Sequence, residues 1–479
     1  MQEEILEPNI SSFIKSLRDI GYTFEVAVAD ILDNSVFAQS QNIEITSMLH
    51  NEMFLSILDD GFGMNKSTLK EAMRLSTNDP ENERDNLDLG RFSLGLKTAS
   101  WSQCELMTVI SKTSSSEINA MQWDLEKIGR LNKWAANNLD ESDLVKLFET
   151  IDDDLQFQKL KQQKSGTLVI WQKLDRFESE SLSRKLEELN AHLSLVFHRF
   201  LDGTSKVNKI NISINETKLI AFNPFHKSTA KQTEIYKVNG KNVSVQGHIL
   251  PAFNSKKTNP EEYLRYATSD GYSRSQGCYL YRANRIISYA SWWKIVPSQD
   301  ANQLVRFKID IENNQDKEWG ISVTKAGFGI TPPAAIRNDL KIIFKNVINT
   351  GRGIIGGRQI QIKHKVKLWQ IFRNSNKENS FVVNKKHPLY IELKGAAGNK
   401  LTKVIDLYIR LLEVYLPVQD IMREQINNPF GVKGALDQEK MDIKSQVDEF
   451  LNEGLTKAEI EFLIGSEGFE NKYGDENNE

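Results

Sequence analysis

Residues 23–39 read as a helix whose apolar side chains recur often enough to demand burial. The stretch "ADILDNSVFAQ" (29–39) nevertheless sets Asp30, Asp33 and Asn34 into that run within about one and a half turns. Asp30 and Asn34 are four residues apart and share one helical face, while Phe24, Val28, Ile31 and Leu32 fall largely on the other. An aspartate can serve as general base for a water, and an asparagine oxygen is a hard ligand suited to Mg2+. Taken alone, the same residues also fit solvent-facing or loop-capping side chains.

The rest of the chain sets the frame. Its 479 residues suggest two to four domains, and 39% hydrophobic with 26% charged residues is an ordinary globular composition. A net charge of −3 argues against a protein coated in nucleic acid, although a local basic surface is compatible with it. Cys104 and Cys278, the two cysteines, argue for a reducing compartment and are too few for a disulfide framework or a zinc site of their own. No apolar run approaches the roughly 20 residues needed to span a bilayer, and "MQEEILEPNISS" lacks the apolar core of a secretory signal. The expectation is a cytoplasmic protein with no membrane partner.

Three further motifs follow in order. "LDDGFGMN" closes a strand-like run, with Asp59 followed by Gly61 and Gly63. A carboxylate there can accept from an exocyclic amine, and the glycines allow close backbone approach to a flat ring. As an isolated motif it is also an ordinary acidic turn. After the polar, turn-rich stretch 76–89 comes "LGRFSLGLKTAS", in which Gly90, Gly95, Leu96 and Lys97 lead into a helix. Backbone N–H groups and a lysine at a helix start suit phosphate, although Leu96 separates this from the P-loop pattern. Finally, "GTLVIW" opens a strand with Thr167. Strands are also predicted at "NIEITSML", "CELMTVISK", "GCYLYRANRIIS" and "LVRFKIDI", a polar helical insertion at about 135–165, and helices at 181–201 and 332–348.

In this order the motifs resemble those of the GHKL (Bergerat-fold) ATPases, which include gyrase, the large heat-shock chaperone, histidine kinases and MutL. "AVADILDNS", "LDDGFGMN", "LGRFSLGLKTAS" and "GTLVIW" look most like the MORC branch and its prokaryotic, MutL-related relatives, and "GCYLYRANRIIS" is similar to a segment of their transducer domains. The resemblance covers about residues 20–175 well and extends more weakly to about 350. It implies an α+β fold with an N-terminal arm at 1–20 and an α/β sandwich ATPase domain at 21–180. An S5-like transducer would follow at 181–350. Beyond the resemblance, the sequence itself reads as a mostly helical C-terminal region at 351–470, which could bind nucleic acid or a partner, and a disordered acidic tail at 471–479.

The resemblance also implies site roles. Asp30 stands where relatives usually carry the glutamate that orients the attacking water, and Asn34 matches the Mg2+ ligand. Asp59 matches the carboxylate that reads the adenine amine, with Thr167 holding a water beside it. Gly61, Gly63 and Met64 would line the pocket, although Met64 fits core packing equally. Residues 76–89 would be the lid, and Gly90, Gly95, Leu96 and Lys97 would meet phosphates. Lys325 would reach the γ-phosphate, with Lys317 as its nearby competitor. Asp33 receives no role. The cofactors implied are ATP and Mg2+, and the implied state is a homodimer on ATP binding, with the arm exchanged between protomers. MORC and MutL relatives act on DNA, and prokaryotic MORC-like proteins are linked to restriction, modification or defence. That suggests DNA and a nuclease or methyltransferase as partners. Between Lys341 and Arg373 the chain carries Lys345, Arg352, Arg358, Lys363, Lys365 and Lys367 and no acidic residue, the nearest before it being Asp339, with His364, Trp369 and Phe372 interleaved. Such a run suits a nucleic-acid backbone and equally a solvated basic face.

Overall fold

The computed structural model describes residues 9–19, 21–49, 52–74, 95–204, 208–226, 231–238, 243–252, 259–268, 270–321, 329–355, 368–373 and 379–421. The chain divides into two compact units, Met1–Ala252 with Pro260–Ile355, and Phe253–Asn259 with Gly356–Glu479.

The first unit opens with helices α1 (Ile10–Arg18) and α2 (Phe24–Phe37). Asn9 and Thr23 stand at their N-caps, each accepting a backbone N–H from its first turn. Eight strands then form one sheet: β1 (Asn42–Leu49), β2 (Met53–Asp59), β3 (Cys104–Lys112), β4 (Asn119–Asp124), β5 (Asn137–Leu139), β6 (Gly166–Leu174), β7 (Asn211–Ile214) and β8 (Thr217–Lys218). Their order is β5-β4-β3-β6-β2-β1-β7-β8, antiparallel except where β1 meets β7. The centre of the sheet is therefore β3, β6 and β2, which joins Asp59 directly to Thr167 in register.

Alternation along these strands assigns the two faces. Leu55, Ile57, Val109, Val169 and Trp171 join a core with Val28, Ile31 and Leu32 of α2, while Phe54, Leu58, Ile110, Leu168 and Ile170 point the other way. The insertion covers that second face. Helices Glu141–Ile151 and Leu155–Gln162 place Leu144, Leu147, Phe148, Phe157 and Leu160 against it. With both faces covered, β2 and β6 read as nearly continuous apolar runs.

A second sheet of six strands lies in the same unit, and its longer strands are Ser244–Ile249, Val305–Ile311, Gly277–Arg282 and, at the edge, Arg285–Ser291. One face packs on helix Ala334–Ile355 through Ile336, Leu340, Phe344 and Val347. From the other face Tyr279, Tyr281 and Ile286 enter the core of the first sheet. The segment "GCYLYRANRIIS" was expected as one strand and is instead a tight hairpin. Its turn is Ala283-Asn284, both with positive φ (46° and 70°), and Arg282 pairs with Arg285 across it.

The N-terminal helix α1 leads into the sheet-bearing part of the unit. It docks on its own chain, with Ile14 buried, Phe13 edge-on to Trp134 and Arg18 donating to the Trp101 carbonyl. In the second unit the described residues form a hairpin, Trp369–Arg373 with Asn379–Val383, and two helices, Pro388–Ala396 and Asn399–Val414.

Candidate nucleotide site

Asp59 ends β2 beneath the C-terminal part of α2. Its Oδ1 accepts from the Gly61 N–H at 2.9 Å and its Oδ2 from the Ser35 hydroxyl at 2.9 Å. Burial pushes its pKa above the usual carboxylate range, and the N–H groups of Gly61 and Thr167 with the hydroxyls of Ser35 and Ser40 oppose that shift. A buried carboxylate held this way, facing a glycine turn, suits an amine donor on a planar ring.

The two glycines are required by the protein itself. A Cβ at Gly61 would stand 2.6 Å from the Ala38 Cβ, and one at Gly63 only 1.9 Å from the Lys112 carbonyl oxygen. Gly63 also has a φ of +67°. The chain after Asp59 therefore threads between the end of α2 and the end of β3. Ser111, near the end of β3, binds this turn together with β6. Its hydroxyl accepts from the Met64 N–H at 2.8 Å, donates to the Gly166 carbonyl at 2.9 Å and lies 2.8 Å from Thr167 Oγ1. Met64 itself packs partly against the core. Asp59, Gly61, Gly63, Met64 and Thr167 thus come together as the motifs implied. Ser35, Ser40 and Ser111 join them without having been foreseen, because a serine in a helix or strand carries no pattern of its own.

At the other end of the site lie the remaining polar residues of α2. Ser35 and Asp30 are separated by about 7.5 Å along the helix axis. Asn34 is exposed, and its Nδ2 donates to the Asp30 carbonyl at 3.2 Å, which leaves the side-chain oxygen able to offer a lone pair to a cation. An amide oxygen on an exposed side chain is a hard ligand that fits a cation such as Mg2+. Asp30 and Asp33 are buried. Tyr22 donates to Asp30 Oδ2 at 2.9 Å, and Arg285 approaches both carboxylates. Burial and the Asp30 charge together push the Tyr22 hydroxyl pKa upward.

Helix α4 (Gly95–Trp101) begins where the glycine-lysine motif ends. Gly95 has open space where a Cβ would go, and Leu96 packs partly on the core. The Lys97 amine is buried and caps the C-terminus of α3 (Lys66–Met73), donating to the Ala72 and Arg74 carbonyls at 2.8 and 2.5 Å. Burial lowers its pKa to about 8. Its placement here is at a helix end, the position where a cation is favoured by the helix dipole. Gly90, the stretch 76–89 and Lys325 lie outside the described residues, and Lys317 is exposed beyond the turn at 313–315.

Residues 22–167 match the family model described as "Histidine kinase-, DNA gyrase B-, and HSP90-like ATPase". That match places the segment in the GHKL ATPase superfamily and implies ATP binding. No curated protein matches the chain. Among the described residues no helix is long and apolar enough to cross a membrane.

Proposed function

We propose that this chain is a slow Mg2+-dependent ATP hydrolase of the MORC-like, MutL-related branch, working as an ATP-operated clamp. Asp59 reads the adenine amine, Thr167 and Ser111 hold a water beside it, and Gly61, Gly63 and Met64 shape the pocket. Asn34 supplies an oxygen to Mg2+, which when bound neutralises phosphate charge. Gly90, Gly95, Leu96 and Lys97 meet the phosphates, Asp30 orients the attacking water, and Lys325 meets the γ-phosphate. The observation that supports this most is the buried Asp59 carboxylate, paired in register with Thr167 above two sterically required glycines.

The clamp closes by dimerisation of two ATPase heads, and the second sheet relays that state. DNA is the client we favour, on the basic run from Lys341 to Arg373, in a restriction, modification or defence setting with a nuclease or methyltransferase partner. Phosphate release with Mg2+ and ATP tests the enzyme, with Asp30→Ala expected to fall to background. Gel retention of DNA at several salt concentrations tests the clamp, with retention expected to change when a non-hydrolysable ATP analogue is added. Equal retention in both states contradicts gating.

A second reading is favoured by one observation. Asp30 is an aspartate where relatives usually have the longer glutamate, and its side chain is sealed from solvent. An ATP-gated binding module that hydrolyses little would show nucleotide-dependent retention with the same phosphate release from wild type and Asp30→Ala.

A further inference from the structure

Arg285 belongs to the second sheet, on the strand that leaves the 283–284 turn, yet its guanidinium lies among the polar residues of α2. Nη1 donates to Asp33 Oδ2 at 2.8 Å and to Asp30 Oδ1 at 3.3 Å, while Tyr22 donates to Asp30 Oδ2. Both oxygens of Asp30 are engaged, and the side chain is 0% exposed. A carboxylate that orients or deprotonates a water has to touch it. In this conformation solvent does not reach Asp30, whereas Asn34, one turn further on, is exposed. The seal is local to the carboxylate.

The surroundings indicate a contact able to open. Two formal negative charges face one guanidinium, an excess that burial disfavours. The neighbouring His192 is held far below its usual pKa, by desolvation first and the Arg285 charge second, so it adds no second cation. Arg285 Nε is buried without a hydrogen-bond partner among the described residues, and the Phe197 ring lies 5.5 Å from the guanidinium carbon. The shorter bond makes Asp33 the anchor and Asp30 the looser of the two partners.

We propose that Arg285 is a positioning residue for Asp30: anchored on Asp33, it carries the position of the second sheet to the water-orienting carboxylate and withholds it from water until strand Arg285–Ser291 and α2 shift apart. This rests on the role given to Asp30 under Proposed function. It also gives Asp33 a task that no motif assigned. A misplacement of about 1 Å at a reacting group can change a rate on the order of 10²-fold, so a small movement of the strand is enough.

The test uses the full chain carrying Arg285→Met with Asp33→Asn, which removes one formal charge of each sign. Arg285→Lys serves as the milder variant, because a flexible ammonium replaces the planar guanidinium whose Nη1 reaches both carboxylates. Fluorescent-ATP affinity and single-turnover phosphate release are measured for each, with and without Asp30→Ala. The double variant is expected to release phosphate several-fold faster than wild type at unchanged nucleotide affinity, with Arg285→Lys in between. Adding Asp30→Ala is expected to abolish the increase. A rate equal to or below wild type at unchanged affinity overturns the proposal. If the double variant loses nucleotide affinity through misfolding, Arg285→Lys decides, and an unchanged rate there overturns it equally. Wild type that is sensitive to Asp30→Ala beside an unaccelerated variant defeats the gating alone. Insensitivity of every form to Asp30→Ala defeats the hydrolase reading as well.

Discussion

Replacing Asp59 by asparagine isolates the adenine contact from the fold. In the free protein the carboxylate accepts from Gly61 N–H and from the Ser35 hydroxyl, both at 2.9 Å. An asparagine keeps its oxygen on Gly61 and turns its NH2 to Ser35, whose hydroxyl can accept as well as donate. Two hydrogen bonds to a charged acceptor become neutral ones, a loss of about 1 kcal/mol each, while the desolvation cost of a buried carboxylate disappears. The terms oppose, so the melting temperature is expected to change little. Binding is expected to respond differently, since the amide presents a donor to the adenine amine in place of an acceptor. Losing a charge-assisted bond costs about 1.5–3 kcal/mol, which is about 10- to 150-fold in ATP affinity. The assay is calorimetric titration of both proteins with ATP and with inosine triphosphate, which carries a carbonyl at the amine position. The wild-type preference for ATP should collapse or invert in the variant. An ATP affinity changed by less than about threefold, with the preference intact, refutes the role of Asp59.

Three other outcomes follow from the same geometry. Gly63→Ala forces a Cβ to 1.9 Å from the Lys112 carbonyl at a φ of +67°, so thermal melting should reveal a loss of at least about 2 kcal/mol even without nucleotide. Gly95→Ala meets open space at a helix start and should leave the free protein unharmed or about 0.5–1 kcal/mol more stable, while lowering ATP affinity if that backbone meets phosphate; unchanged affinity removes Gly95 from the site. Lys97, with its pKa lowered to about 8, is partly deprotonated at pH 8–9, and a phosphate beside it would restore the proton. Titrations in buffers of different ionisation enthalpy should then show proton uptake on ATP binding, and affinity should fall as pH rises above about 8. No uptake would mean the amine stays on the α3 carbonyls.

Much of the fold was legible in the sequence because it rests on local pattern. Asn42–Leu49, Cys104–Lys112 and Gly166–Leu174 end where their β-branched runs end, and α2 ends within two residues of its expected limits. The hairpin at 277–291 was missed because Ala283-Asn284 supplies no glycine, so nothing in "RANR" marks a turn with two positive φ values. The site was half legible. Asp59, Gly61, Gly63 and Thr167 form a recognisable order, but Ser111 acquires meaning only through its register opposite Thr167. The Arg285–Asp33 contact joins residues 252 apart, through the packing of the second sheet against α2. Lys97 is legible as a lysine after glycines, but the α3 carbonyls that hold its amine in the nucleotide-free chain are set by the packing of α4 and leave no mark in the motif.

The central claim is that α2 and the Asp59 turn form one Mg-ATP site, and its most direct test is the Mg2+ dependence of ATP affinity in wild type and Asn34→Ala. Asn34 is exposed, so its truncation leaves the core intact. Wild type is expected to bind ATP more tightly with Mg2+ than with a chelator present. Asn34→Ala should keep the chelator-state affinity and lose most of the Mg2+ enhancement. An enhancement of equal size in both proteins, or no ATP binding by wild type in either condition, would contradict the account.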